Sequence, residues 1–405
     1  MAIEQGIFKQ TRLARQSAKG AMASPAGGAI VRRESSTFEL SKESYTTENE
    51  ITATQQIVSV RHGVRLVNGK LSGNLSPGTY SDPLSALLRR DFAGVTAITG
   101  MSITIAGSGP YTITRAAGDF LAGGIKIGMV VRLTAGSFTA ANLNKNLLVT
   151  GVTATVLTVQ SLNSQTMVAE GPIASATLTV PGKVTYTPIS GHTSIYHTVE
   201  EWHPNVPTSE RNIDVRFTQA NISLPGSGNA KIDFTAIGLN QTQASTAYFT
   251  APTAETTTGT LVSASGALFV DGSAVATVTD MSISIDGKGA GADGVLGTDI
   301  RPDVFVGKVN VNGSFTAYFD GATIPNLFLN ETATSILSAI TAGSDNAADC
   351  MTFTMNNVKI NSSSPADAET GLKRTYQFQA VLNASGGTGT ATEKTTLQVQ
   401  DSAAA

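Results

Sequence analysis

Past its first thirty residues the chain alternates apolar and polar side chains with a period of two. Val278 to Ile285 (VTDMSISI), Thr155 to Val159 (TVLTV) and Arg374 to Val381 (RTYQFQAV) are the clearest runs, and Gly, Asn, Asp and Pro punctuate the chain between them. Successive side chains of a strand point to opposite faces, so the pattern predicts half-buried β-strands joined by turns. Helical spacing is scarce. The best case is residues 81–90 (SDPLSALLRR), with a capping serine, Pro83 in the first turn, and Leu84, Leu87 and Leu88 at i, i+3 and i+4. That spacing predicts a short helix with one buried stripe.

Two stretches about 240 residues apart share both local pattern and order. Gly69-Lys70-Leu71-Ser72 runs through Tyr80 into Leu84, Leu87 and Leu88; Gly307-Lys308-Val309-Asn310 runs through Tyr318 into Ile324, Leu327 and Phe328. Each is followed by a hairpin-like pair. Phe217-Thr218 and Asn221-Ile222 return through Ile232, Phe234, Ile237 and Leu239, and Phe353-Thr354 and Asn357-Val358 return through Tyr376, Phe378, Val381 and Leu382. One match alone would be chance similarity between β-rich segments. The shared order of strand, helix and hairpin predicts two copies of one β-sandwich or barrel module, each with a short helix.

The first copy is far longer, and the excess between Phe92 and about Tyr196 has its own strand rhythm. A glycine-bent run at 123–133 (GGIKIGMVVRL) points to a small closed β-barrel inserted in a loop, and such insertions are tolerated at exposed loop tips. The expected organisation is an N-terminal arm at 1–33 and a discontinuous first module at 34–94 and 191–245. The inserted barrel takes 95–190, standing away from the main sheet; a linker takes 246–277; a second module takes 278–405, with a Gly-rich loop at 286–299. The fold class is mainly β.

Composition narrows the function. Gly supplies 40 of 405 residues, about 10% against a usual ~7%, and charged residues make up 14% against a usual ~25%. A surface this poor in charge suits a protein covered by neighbouring copies. Disorder is excluded, since 41% apolar residues at a net charge of −3 can bury a sizeable core. No run approaches the ~18 apolar residues of a membrane helix. The arm is the one basic concentration, with Lys9, Arg12, Arg15, Lys19, Arg32 and Arg33 against Glu4. It lacks the apolar core of a secretory signal and loosely imitates an organellar transit peptide. The preferred reading is a mobile arm that lies on a neighbour.

Candidate chemistry is thin. Cys350, the single cysteine, excludes an internal disulfide and a multi-thiolate zinc site. His192, His197 and His203 stand near Glu200 and Glu201, but they lack helical ligand spacing and Pro204 and Pro207 follow, so 197–203 reads as a solvated loop with one packed Trp. No G-x-S-x-G elbow occurs. The Gly-rich run after Asp286 lacks the order G-x-x-x-x-G-K-[ST] and a following helix, and Asp286, Asp293 and Asp299 do not have EF-hand spacing. That run is a flexible connection or a loop that orders on an adjacent subunit. No cofactor, metal or catalytic residue is assigned.

At residues 32–40 (RRESSTFEL), Arg61-His62-Gly63, and 73–80 (GNLSPGTY) leading into 87–92 (LLRRDF), the sequence resembles the phage tail tube proteins of long-tailed phages. The resemblance extends over Gly307-Lys308 through Glu331 and omits the inserted segment. It implies modules assembled into rings whose inner strands line a channel, with rings stacked into a hollow tube through which DNA is ejected. The chain would then be a structural virion protein made in the host bacterial cytoplasm, with other tail proteins at the tube ends and phage DNA passing without sequence-specific binding. If each ring needs six modules, two per chain imply a trimer with pseudo-sixfold symmetry; a hexamer is the alternative. Arg12, Arg15, Arg32, Arg33, Asp286, Lys288 and Asp293 are the candidate inter-ring contacts, and the six apolar helix residues are the packing candidates. The competing class is a β-rich binding module that decorates a virion or recognises a host surface through the barrel, weakened by one Trp and eight Tyr as stacking platforms.

Overall fold

The alternating runs fold as strands nearly throughout. In the computed structural model, which describes residues 3–47, 51, 53–54, 56–366 and 371–405, β1 (Gln10–Arg15) and β2 (Ala29–Ile30) precede a long hairpin of β3 (Ser35–Thr46) and β4 (Val60–Asn74), followed by α1 (Ser81–Leu88). Residues 1–2 of the expected arm, 48–50, 52 and 55 of the expected first module, and 367–370 of the expected second module lie outside the described residues.

Six strands come next: β5 (Ile98–Ala106), β6 (Tyr111–Arg115), β7 (Val130–Ala135), β8 (Leu147–Val152), β9 (Val156–Ser161) and β10 (Glu170–Thr179). They close into a barrel in the order β10-β5-β6-β9-β8-β7. Closure leaves no free edge, and Ile103, Ile113, Phe120, Leu133, Leu147 and Leu157 fill the interior.

The chain then returns to the main sheet through β11 (Lys183–Tyr186), β12 (His197–His203), β13 (Thr208–Pro225), β14 (Lys231–Gly238) and β15 (Asn240–Ala244). The stretch read as a linker carries β16 (Gly266–Val270) and β17 (Ser273–Ala274), and β16 pairs with a strand of the second half. That half comprises β18 (Val278–Asp286), β19 (Ala290–Gly291), β20 (Val304–Phe305), β21 (Asn310–Tyr318), α2 (Thr323–Leu329), β22 (Thr334–Thr341), β23 (Cys350–Ala366), β24 (Lys373–Ala380) and β25 (Gln398–Asp401).

One pairing scheme occurs twice. Antiparallel neighbours run β3-β4-β14-β13-β12 in the first half and β18-β21-β24-β23-β22 in the second. In each, the helix lies in the connection from the second strand of that series to the last. Leu71 faces Phe234 across β4 and β14, and Gly313 faces Phe378 across β21 and β24. Aligning those pairs sets Ser81 on Thr323 and Pro83 on Pro325. The sequence match of Gly69-Lys70 to Gly307-Lys308 is four residues out of this register, because Gly307 and Lys308 lie in the connection before β21. A Gly-Lys pair carries no packing information, whereas the two phenylalanines are core residues at 2% and 1% exposure.

Two expectations about position need correction. The arm is a strand of its own chain, since β1 lies antiparallel on β12 from Gln10↔Trp202 to Arg15↔His197. The barrel does not stand away from the rest. Val130, Leu148 and Leu162 pack with Phe269 of β16 and with Leu337, Ala339 and Cys350 of the second half, and Gln400 bonds the backbone of Val130 in both directions. Burying that many apolar side chains contributes on the order of 1.5–3 kcal/mol each, so the barrel is docked and not tethered.

Candidate assembly surfaces

The two halves meet edge to edge. The C-terminal half of β13 receives β18 as an antiparallel neighbour, from Gln219↔Asp286 through Ile222↔Ile283 to Pro225↔Asp280. Alternation suits the contact, because Met281, Ile283 and Ile285 turn into the core while Ser282 and Ser284 face outward. The backbone beyond β18 continues over α1. Gly287 N donates to the Thr218 carbonyl at 2.8 Å, and Arg89 donates to the carbonyls of Gly287, at 3.2 Å, and Gly307.

The Gly-rich loop therefore lies on the first half of its own chain. Arg216 donates to the Val304 carbonyl at 2.9 Å, Tyr196 donates to Asp303 at 2.8 Å, Arg65 pairs with Asp299, and Arg301 with Glu43 at 2.8 Å. Of the candidate inter-ring residues here, Asp286 and Lys288 pair with one another at 2.6 Å and Asp293 is exposed. Lys288 holds the Asp286 carboxyl below its ordinary range, against the opposing effect of burial.

The arm's cations are spoken for within the chain. Arg12 is 8% exposed and donates to Glu200 at 3.3 Å and to the Phe249 carbonyl at 3.0 Å. Arg15 binds Asp82 and Asp91, Arg32 donates to the Thr258 carbonyl at 2.8 Å, and Arg33 to the Lys9 carbonyl. Lys9 pairs with Glu201 at 2.8 Å.

Residues 197–203 are not a solvated loop but the central strand of this layer, with β1 on one side and β13 on the other. His197 is fully buried and bonds Asp82 at 2.9 Å; Glu200 and Glu201 are buried as well. Burial raises the Asp82 pKa, but the bonds and charges of His197 and Arg15 outweigh it and hold the carboxyl low. Sequence reasoning named the two glutamates but missed their burial, because adjacent strand residues point to opposite faces, and only a strand covered on both sides buries a carboxylate on each. The available signal was the short stretch 9–15 (KQTRLAR), in which Lys9 and Arg12 supply the counter-charges of Glu201 and Glu200. Among the described residues, no group of three His, Cys, Asp or Glu side chains is placed to hold a metal ion.

The helix candidates divide. Leu84, Leu87 and Leu88 of α1 are exposed by no more than 2%, whereas α2 buries none of its residues: Ile324 and Leu327 are half-buried and Phe328 is 37% exposed. Leu329, Phe319 and Leu372 lie open nearby. Two edges are open too. Among the described residues, no strand pairs with β3 opposite β4, and none pairs with β23 beyond Val358 opposite β24.

A model of the phage tail tube protein family matches residues 12–380. No curated protein matches the chain.

Proposed function

The chain belongs to the phage tail tube protein family, a structural and non-enzymatic family, and on that premise we propose that it is the major tail tube subunit. Chains assemble into rings, rings stack into a hollow tube in the virion, and DNA passes through the lumen at ejection. The two halves, 34–94 with 191–245 and 278–405, act as two modules of one ring. Three chains then supply six modules around the channel with pseudo-sixfold symmetry.

The observation that carries this reading is the sheet continuing from one half into the other through β13 and β18. A strand edge joined to the next unit is how a β-lined wall is extended, and a ring of such joints removes the unpaired edges that a free chain must otherwise protect. Charge agrees with a lumen that releases its cargo. DNA affinity comes from Lys and Arg contacts that displace counterions, and here Lys9, Arg12 and Arg15 are taken up by carboxylates in a chain of net charge −3. The barrel, docked on the second half, decorates the outside. Of the candidate inter-ring residues, Lys288 and Asp293 remain free enough to touch the next ring.

Negative-stain electron microscopy of the purified protein tests this. The expected end-on averages show six lobes with threefold symmetry around a channel wide enough for duplex DNA. Twelve modules per ring would replace the trimer with a hexamer, and chains that stay monomeric at every concentration would overturn the reading.

A further inference from the structure

We propose that the junction between the two halves is repeated between chains, with the outer edge of β3 from one copy adding to the open edge of β23 in the next. The inference rests on the tube reading and names the contact that reading leaves unspecified. Its basis is what fills each position in the repeated pairing scheme. In the first half, the edge of β13 beyond its β12 pairing is filled by β18, and the backbone after β18 covers α1. In the second half, among the described residues, the corresponding edge of β23 beyond its β22 pairing is open, and α2 buries none of its side chains. The strand that corresponds to β18 is β3, whose own outer edge is open. A second copy therefore carries the one element shaped for the vacant position.

The register follows from the internal junction. Phe234 corresponds to Phe378, which sets Ala220 on Ile360; Ile285 corresponds to Phe38, each buried and each facing the equivalent residue of the second strand in its series. Transferred to two chains, Gln219↔Asp286 becomes Lys359 opposite Glu39 of the next copy. Ala220↔Ile285 becomes Ile360 opposite Phe38, and, with the one-residue bulge that β23 carries between Ile360 and Ser362 counted, Ser223↔Ser282 becomes Ser364 opposite Ser35. Opposite charges fall at the first of these positions without having been used to find it. Directly opposed unlike charges favour a register, and like charges there would oppose it.

The free chain guards the β3 edge with side chains. The Ser36 carbonyl accepts from Lys9 Nζ at 3.0 Å and the Phe38 carbonyl from Gln241 Nε2 at 3.3 Å, which leaves each oxygen a second lone pair for a neighbouring strand. Leu40 follows Glu39 as Gly287 follows Asp286, and so it reaches α2 of the next copy where Gly287 reaches α1. Phe328 and Leu329 are thereby covered by apolar chain. The contact is head to tail, because β3 and β23 are different surfaces, and such contacts propagate until a ring closes.

The test is a cysteine pair at the outward-facing position, Ser35→Cys with Ser364→Cys, assembled and then oxidised. The expected result on a non-reducing gel is disulfide-linked dimers and larger species from the double variant, and dimers alone from an equimolar mixture of the two single variants. Neither single variant alone should link; native Cys350 is fully buried. A charge exchange supplies the second readout: Lys359→Glu abolishes rings, and adding Glu39→Lys restores them. Rings that form normally without cross-links, or that ignore the exchange, overturn the edge assignment and leave the tube reading standing. Wild-type chains that never associate overturn both.

Discussion

At the scale of single residues, the ionisable groups that matter are those buried for structural reasons. Asp401 is fully buried, and its carboxylate accepts from Gly78 N at 2.9 Å and Ala403 N at 3.0 Å, with Gly78 at φ +77°, a conformation that excludes most side chains at that turn. Burial dominates and pushes its pKa up to about 6 from 3.8. Between those values the folded chain keeps a proton that the unfolded chain releases, so this group's contribution to stability is greatest below about pH 4 and is lost as pH rises toward 6. Asp401→Asn removes that dependence. Compared with wild type in urea titrations, the variant should gain roughly 2–3 kcal/mol in relative stability between pH 4 and pH 7. Glu200 gathers Arg12, Ser209 and the backbone amides of Tyr248 and Phe249 around one buried carboxylate. Arg12→Ala strands that charge and should cost about 3–5 kcal/mol, while breaking the exposed Lys231–Glu34 pair should cost ~1 kcal/mol or less.

Among the elements, the two helices show what position in the sheet decides and sequence does not. Both carry an apolar stripe after a proline in the first turn, yet only α1 is buried, because β18 and the chain after it happen to lie over it. Leu87→Ala should therefore destabilise the isolated chain by about 2–5 kcal/mol, whereas Leu329→Ser, at 71% exposure, should leave its unfolding midpoint nearly unchanged and weaken ring formation. Periodicity made strands and α1 legible, since both follow from local alternation. It also made the closed barrel legible, since the strand rhythm of residues 98–179 is dense and self-contained. The arm's docking and the barrel's seat were not legible, because both depend on partners distant along the chain: Leu13 with Val199, and Leu148 with Leu337. Cys350 reports on the second of these. It is sealed beneath the barrel, and burial pushes its thiol up to about 12, so a maleimide should label it only under denaturing conditions. Leu148→Asp, which puts a charge into that seam, should make it react in native buffer.

For the molecule as a whole, the repeated junction turns ring closure into a question of geometry that one chain already answers in part. If the rotation from the first half to the second within a chain and the rotation from the second half to the first of the next sum to a third of a turn without a rise, three chains complete the circle, and equal steps make it pseudo-sixfold. A sum that is no whole fraction of a turn, or one that carries a rise along the axis, would leave a head-to-tail contact open and produce filaments without discrete rings. The Ser35→Cys, Ser364→Cys variant separates these cases beyond showing that the contact exists. In a closed trimer every chain gives one link and receives one, so exhaustive oxidation must end at a circular species of three chains that neither grows with protein concentration nor yields a tetramer. A helical or hexameric assembly would continue past three. Partial reduction sharpens the reading: one broken link, gaining two hydrogens, converts the circle to a linear trimer of different gel mobility, and a mass measurement under denaturing conditions identifies both bands as three linked chains.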